Sequence, residues 1–257
     1  MKSIRPLMST IRHAGAVAMS IYDREFAIAI KDDLSPITEA DKAVDAILFQ
    51  ALSELFPKVH IVTEERSASH TDQAFGQQFF LVDPIDGTKE FINKTDEFTI
   101  NIALIDAGIP IAGIVYAPAL GRLFLADING EAIEIDEAGT EKPIKVRQGV
   151  NTSLTAVASR SHNTPETQAF LDKYGITECV SAGSSLKFCV VAAGEADIYP
   201  RFGPTMEWDT AAGDAVLRAA GGMVLNVDRT PFAYGKAGYR NPNFIACSPD
   251  AAKRCAK

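Results

Sequence analysis

The sequence predicts an α+β / α/β layered sandwich, two lobes of stacked helix and sheet with a cleft between them. Three observations predict it. Two stretches with helical apolar spacing open the chain, a run of strand-like segments follows, and beyond about residue 150 strands and helices alternate. The expected lobes are residues 1–150, dominated by antiparallel sheet, and residues 151–257, of alternating α/β type.

Leu7, Ile11, Val17 and Ile21 mark an amphipathic helix running to about Tyr22. In the next helix the pairs Ala43/Val44, Ile47/Leu48, Ala51/Leu52 and Leu55/Phe56 recur at i, i+3, i+4, and Pro57 stops it. "VHIV" at 59–62 reads as a short strand, and "FFLV", "FTINIALI", "IPIAGIVYA", "RLFLAD" and "EAIEI" carry a sheet from Phe79 to about Ile135. Asn129-Gly130 is a hairpin-turn signal between the last two. The second half reads as the strand "LTAVAS", a helix from Thr164-Pro165, a strand near 178–181 and a helix from Ser184. "DIYP", a helix from Asp209, "GMVLNV" and "NFIACS" complete it.

Bulk properties exclude several classes. A chain of 257 residues, 47% hydrophobic and 23% charged, has the length and composition of a globular protein with a substantial core. "MKSIRPLMSTIRHAG" lacks the apolar stretch of a secretory leader and no segment approaches a membrane span, so a cytoplasmic protein is expected. Nothing in the sequence requires a peripheral seat on the inner membrane, and nothing forbids it. Cys179, Cys189, Cys247 and Cys255 form no CxxC pair and read as reduced thiols. A net charge of −8 argues against a nucleic-acid polymer as partner, whereas a small anion can still be held where local cations or metals reverse the field.

The chemistry concentrates in "LVDPIDGTKEF" at 81–91. Asp83 stands at the end of a strand, kept extended by Pro84. Asp86 comes round towards the same side, and Gly87 permits close backbone approach. Thr88 begins a short helical turn with free N–H groups, a seat for phosphate. Carboxylates brought this close repel unless a cation joins them, and hard oxygen ligands suit Mg²⁺. A tight turn with a capping aspartate is the plain alternative. The spacing rules out an EF-hand, since Ile85, Gly87 and Lys94 stand where its third, fifth and twelfth ligands would be; no GxxxxGK[ST] loop is present either.

Other acids stand where local structure could aim them at the same point. Glu64-Glu65 follows the strand "HIV", and neighbours at a strand end face opposite ways. Asp209 in "EWDTAAG" sits at a helix start, and Asp41 in "ITEAD" lies three residues after Thr38; capping alone would explain either.

In order and wording, "ITEAD", "VTEE", "LVDPIDGTKEF" and "EWDTAAG" resemble the signatures of the inositol-monophosphatase-like, metal-dependent, lithium-sensitive phosphatases. "GSSLKFC" at 183–189 and "YPRFGPT" at 199–205, with "KEF" after the acidic turn, resemble the branch of bacterial 3′(2′),5′-bisphosphate nucleotidases. The resemblance implies an αβαβα, sugar-phosphatase-like sandwich. It implies two or three Mg²⁺ ions held by Glu64, Asp83, the Ile85 carbonyl, Asp86 and Asp209. Thr88 and Asp41 would orient the attacking water, and Glu64 would steady it. Gly87, Thr88 and Lys89 would lie against the phosphate, with Asp86 and Asp209 also touching substrate. The implied substrate is adenosine 3′,5′-bisphosphate, a by-product of sulfate activation, cleaved to AMP.

A second phosphate calls for donors in the second lobe. "SRSH" places Arg160 and His162 at a strand C-terminus, and "GSSLK" offers the Ser184 and Ser185 backbone with the Lys187 charge. A solvated surface charge is the alternative for Lys187 and Arg201, a helix-entry hydrogen bond for His162. An inositol or sugar phosphatase would use the same metals with another second lobe, and a non-catalytic nucleotide or metal-binding module would use the same acids without the Thr88–Asp41 pair.

Overall fold

The computed structural model describes residues 3–30, 36–69, 76–128, 130–149, 153–158 and 164–256. Helix α1 (Met8–Tyr22) buries Ile11, Ala14, Ala18 and Ile21, and α2 (Glu39–Leu55) buries Ala40, Val44, Leu48 and Leu52. Those three- and four-residue steps make one apolar stripe per helix. A small antiparallel pair, exposed β1 (Ile28–Ile30) and largely buried β2 (Pro36–Thr38), lies between them.

The two helices cover one face of a seven-stranded sheet. Its strands are β3 (His60–Thr63), β4 (Gln78–Asp86), β5 (Thr99–Asp106), β6 (Ile109–Ala117), β7 (Arg122–Ala126), β8 (Ala132–Ile135) and β9 (Glu141–Pro143), ordered as in the sequence. Only β3 and β4 run parallel. Alternation divides each strand between two cores: Phe80, Val82, Ile100, Ile102 and Ile114 pack towards α1 and α2, while Phe79, Leu81, Ala103, Ile105 and Val115 pack on the far side. Both faces are buried, which is why these strands read as nearly unbroken apolar runs.

The second half supplies β10 (Thr155–Ala158), α4 (Pro165–Lys173), β11 (Glu178–Ser181), α5 (Leu186–Ala192), β12 (Ile198–Arg201), α6 (Glu207–Ala219), β13 (Met223–Asn226), β14 (Phe244–Cys247) and α7 (Pro249–Arg254). Its sheet has the order β11-β10-β12-β14-β13, parallel at β10 and antiparallel at β14. Helices α5 and α6 lie between the two sheets, and α4 and α7 cover the outer face with Leu171, Ala251 and Cys255. The five layers are the expected αβαβα sandwich.

Small residues let α6 fit. A Cβ on Gly113 of β6 would come within 2.7 Å of the Ala212 carbonyl, and one on Gly213 within 2.7 Å of Phe188 on α5. "DTAAGDA" is therefore a close-packing sequence as well as a source of acid.

Several expectations needed adjustment. Helix α6 begins at Glu207, placing Asp209 inside its first turn, and α5 begins at Leu186. The β1–β2 hairpin, β9 and α7 were not anticipated, although Ser248 before Pro249 is an N-cap signature, with its hydroxyl accepting the Ala251 N–H. The turn expected at Asn129-Gly130 includes Asn129, outside the described residues.

Candidate active site

A bulge brings the two aspartates of the acidic turn together. Asp83 pairs with Asn101 and Asp86 with Thr99, so β4 spends three residues where β5 spends two. Residues three apart on a regular strand face opposite ways; one inserted residue returns them to the same side. Pro84, with no N–H to give the ladder, sits in the bulge. Gly87 then takes φ +90°, the left-handed region, and caps α3 (Thr88–Ile92).

Glu64, Asp83, Asp86 and Asp209 line one cavity of about 370 Å³, together with Ile85, Gly87, Thr88 and Lys89. Glu64 follows β3 directly, parallel to the strand that carries Asp83 and Asp86. Asp209 comes from the first turn of α6, whose start is pinned by buried Glu207. The Glu207 carboxylate accepts the N–H groups of Gly235 (2.8 Å) and Lys236 (2.9 Å) and pairs with the Lys236 ammonium at 2.7 Å.

Two acids cap a helix and also reach the site, Asp41 through Thr88 and Asp209 directly. Asp41 Oδ2 accepts the Thr38 amide (2.7 Å) and hydroxyl (2.6 Å) in a capping box, while Oδ1 faces the Thr88 hydroxyl at 3.3 Å. Thr88 Oγ lies equally far, 3.3 Å, from the Ile85 carbonyl. Asp209 Oδ2 accepts the Met206 amide at 2.8 Å while the residue lines the cavity.

Crowding shows in the acidities. Burial raises the Asp83 carboxyl well above the usual range, and Glu64, Asp86, Asp209 and Asp41 add repulsion. Burial does the same at Asp209, reinforced by Asp86. Asp86 is pushed up to about 6 by burial against the opposing pull of Lys187 and the Ser185 amide. Among the described residues no group of His, Cys, Asp and Glu closes into a ready metal shell. The acids surround a common space, each tethered to the protein, as Asp83 Oδ1 is to the Ile85 amide at 3.1 Å. The donor set nonetheless fits a hard divalent cation: carboxylates and a carbonyl, sharing a repulsion that only positive charge relieves.

The same cavity also carries cations. Lys187, in the first turn of α5, is only 6% exposed, so the surface-charge reading of it fails. Its ammonium donates to the Ser184 carbonyl at 3.0 Å and lies 5.6 Å from the centre of the Tyr199 ring. Burial brings it down to about 8. Arg201, at the end of β12, donates one guanidinium nitrogen to the Pro204 carbonyl at 3.3 Å, while its buried Nε finds no acceptor. Ser184 holds φ +47°, and its hydroxyl lies 2.8 Å from the carbonyls of both Asp86 and Glu97. Ser185 donates its amide to Asp86 Oδ2 at 2.6 Å. Arg160 and His162 lie outside the described residues.

Sequence reasoning missed Tyr199, Glu90, Thr205 and Thr210, which also line the cavity. It also passed over Thr99 and Asn101, which face Asp86 and Ser185. The last two left a signal: polar residues two apart, hence on one face, within the apolar run "FTINIALI".

A layered sandwich whose cavity gathers carboxylates beside a buried lysine is the setting of a phosphatase of the metal-dependent kind, and residues 2–256 match the inositol monophosphatase family; the chain belongs to it. Within that family it is 43% identical over 236 residues to the 3′(2′),5′-bisphosphate nucleotidase CysQ of Escherichia coli K12, covering 91% of this chain and 94% of the relative. The CysQ of Salmonella typhimurium LT2 is 42% identical over 240 residues, with the same coverage of 91% and 94%. Among solved structures, CysQ from Bacteroides thetaiotaomicron superposes with a TM-score of 0.80 at 34% identity, covering 94% of this chain and 95% of that one.

Proposed function

We propose that this chain is a magnesium-dependent phosphatase that removes the 3′-phosphate of adenosine 3′,5′-bisphosphate, giving AMP and phosphate. The observation that carries this reading is the two-signed cavity: Glu64, Asp83, Asp86 and Asp209 line it together with Lys187 and Arg201. A ligand that brings phosphate together with divalent cations satisfies both signs at once. At about 370 Å³ the cavity suits a mononucleotide and no polymer.

Glu64, Asp83, the Ile85 carbonyl, Asp86 and Asp209 are the groups that would hold Mg²⁺, two or three ions in all. Bound there, Mg²⁺ would neutralise phosphate charge and lower the pKa of a water. The chain's own groups do the positioning. Asp41 Oδ1 accepts a hydrogen bond from the Thr88 hydroxyl, which turns the Thr88 lone pairs towards the cavity to accept one from the attacking water. Glu64 steadies that water from the other side. Asp209 holds the water that protonates the leaving 3′-oxygen. Gly87, Thr88 and Lys89 lie against the scissile phosphate, while Ser184, Lys187 and the unpartnered Arg201 Nε take the second one.

Phosphate release from adenosine 3′,5′-bisphosphate, inositol 1-phosphate and fructose 1,6-bisphosphate, measured in parallel, tests the assignment. The expected result is preference for the bisphosphate nucleotide, dependence on Mg²⁺ and inhibition by Li⁺. Preference for inositol 1-phosphate would move the chain to the inositol phosphatases, and absence of any metal-dependent turnover would leave a binding module.

A further inference from the structure

Behind Asp86 lies a buried chain of hydrogen bonds that joins the two halves of the molecule. Thr99 and Asn101 of β5 are 0% and 1% exposed, and Ser185, ahead of α5, is 1% exposed. The Ser185 hydroxyl donates to Asn101 Oδ1 at 2.7 Å, so its only proton is committed there. It must therefore accept at its 2.9 Å contact with Thr99 Oγ1, which becomes the donor. With Oδ1 occupied, the Asn101 amide group turns Nδ2 towards Asp86 Oδ2, at a long 3.4 Å. The Ser185 backbone amide reaches the same oxygen at 2.6 Å. Every donor in the chain points one way, from Thr99 to Asp86.

We infer that Asn101 and Ser185 are positioning residues for the Asp86 carboxylate, with Thr99 locking the Ser185 rotamer. Both donors act on Oδ2, which leaves Oδ1 as the oxygen offered to a cation. The short amide contact does most of the holding, and Asn101 acts chiefly by fixing Ser185 so that its N–H stays aimed. The hydrophobic surroundings make the arrangement costly to leave half-made, since an unmet Asn101 or Ser185 would be a buried orphan. Partners placed behind a metal ligand in this way typically govern affinity by about 10- to 100-fold. This inference rests on the proposed metal site, not on which phosphate ester is cleaved.

Manganese binding to the purified full chain, read by electron paramagnetic resonance of free Mn²⁺, tests it without reference to turnover, alongside Mg²⁺ activation curves. Asn101→Leu removes both donor and acceptor while keeping the same heavy-atom branching. The expected result is at least about tenfold weaker Mn²⁺ binding and a matching rise in the Mg²⁺ needed for half-activation, with substrate KM changed less than about threefold at saturating Mg²⁺. Ser185→Ala keeps the backbone donor and loses the side-chain lock. It should weaken Mn²⁺ binding by a few-fold, with the double variant no worse than Asn101→Leu, because the two act as one unit. Wild-type Mn²⁺ affinity in Ser185→Ala together with wild-type affinity in a folded Asn101→Leu overturns the inference. Should Asn101→Leu fail to fold, wild-type affinity in Ser185→Ala alone overturns it. Failure of wild-type protein to cleave a bisphosphate nucleotide would overturn the substrate assignment and leave the Mn²⁺ comparison standing.

Discussion

The cavity's two walls carry opposite charge and are built differently. Each acid of one wall is placed by a regular element: Asp83 and Asp86 by the bulged β4, Glu64 just past β3, Asp209 by the first turn of α6. Among the cations, Lys187 lies in the first turn of α5, just after the turn in which Ser184 holds φ +47°, and Arg201 ends β12. Burial drives the two walls in opposite directions, Asp86 up to about 6 and Lys187 down to about 8, so each moves towards neutrality. The acids repel one another, whereas on the cationic side the Lys187 ammonium has the Ser184 carbonyl and the buried Arg201 Nε has no acceptor. The difference teaches that the acids gather from separate places on the scaffold, one of them a bulged strand, whereas the cations come from two element ends, the start of α5 and the end of β12.

Breaking the acidic wall should have the largest effect. Asp86→Asn is expected to lower Mg²⁺-dependent kcat/KM by about 10³-fold, with circular dichroism unchanged; near-normal turnover would remove Asp86 from the metal site. Breaking the cationic wall should cost less and act selectively. Lys187→Met deletes a charge-assisted contact worth about 1.5–3 kcal/mol. It should raise KM for adenosine 3′,5′-bisphosphate by about 10- to 100-fold while leaving KM for 3′-AMP within about threefold. Equal losses on both substrates would show that Lys187 does not read the second phosphate.

A third change strikes the scaffold behind the acids. Gly113→Ala pushes a methyl into the Ala212 carbonyl and should destabilise by about 1–3 kcal/mol, read as a fall in the urea midpoint at constant slope. The smallest expected effect separates the walls by pH. Asp86 is raised in the folded protein, so its carboxyl binds a proton more tightly folded than unfolded. That contribution favours folding at low pH and fades as pH rises from the ordinary carboxylate range through about 6. With EDTA the protein should therefore melt a few degrees higher at pH 5 than at pH 7.5, and saturating Mg²⁺ should flatten or reverse the slope. An unchanged slope with Mg²⁺ would place the cation elsewhere.

Much of the acidic wall was legible because short motifs at element ends fix both the residue and its direction. Asp41 and Asp209 could be read as caps or as site residues; Asp209 caps α6 while lining the cavity, and Asp41 caps α2 with one oxygen while the other meets Thr88, itself a lining residue. Lys187 was harder. A lysine in "GSSLKFC" looks solvated until one sees that every residue of α5 is buried between the sheets, a fact of layer packing that no local pattern carries. Thr99 and Asn101 hid for a related reason: their strand is apolar on both faces, so two polar residues read as tolerated exceptions. The β1–β2 pair has only three residues per strand, and β1 is exposed throughout, too little of a burial pattern to detect.

Helix α6 is enclosed by sheet on either side, with all but Asp209, Arg218 and Ala219 buried. It holds both sheets' inner cores together and at the same time presents Asp209 to the cavity. A chain severed near residue 150 would leave each fragment with a bare apolar sheet face. Heat inactivation and melting should thus arrive as a single event, because no half of this molecule can come apart while the other still grips a metal ion.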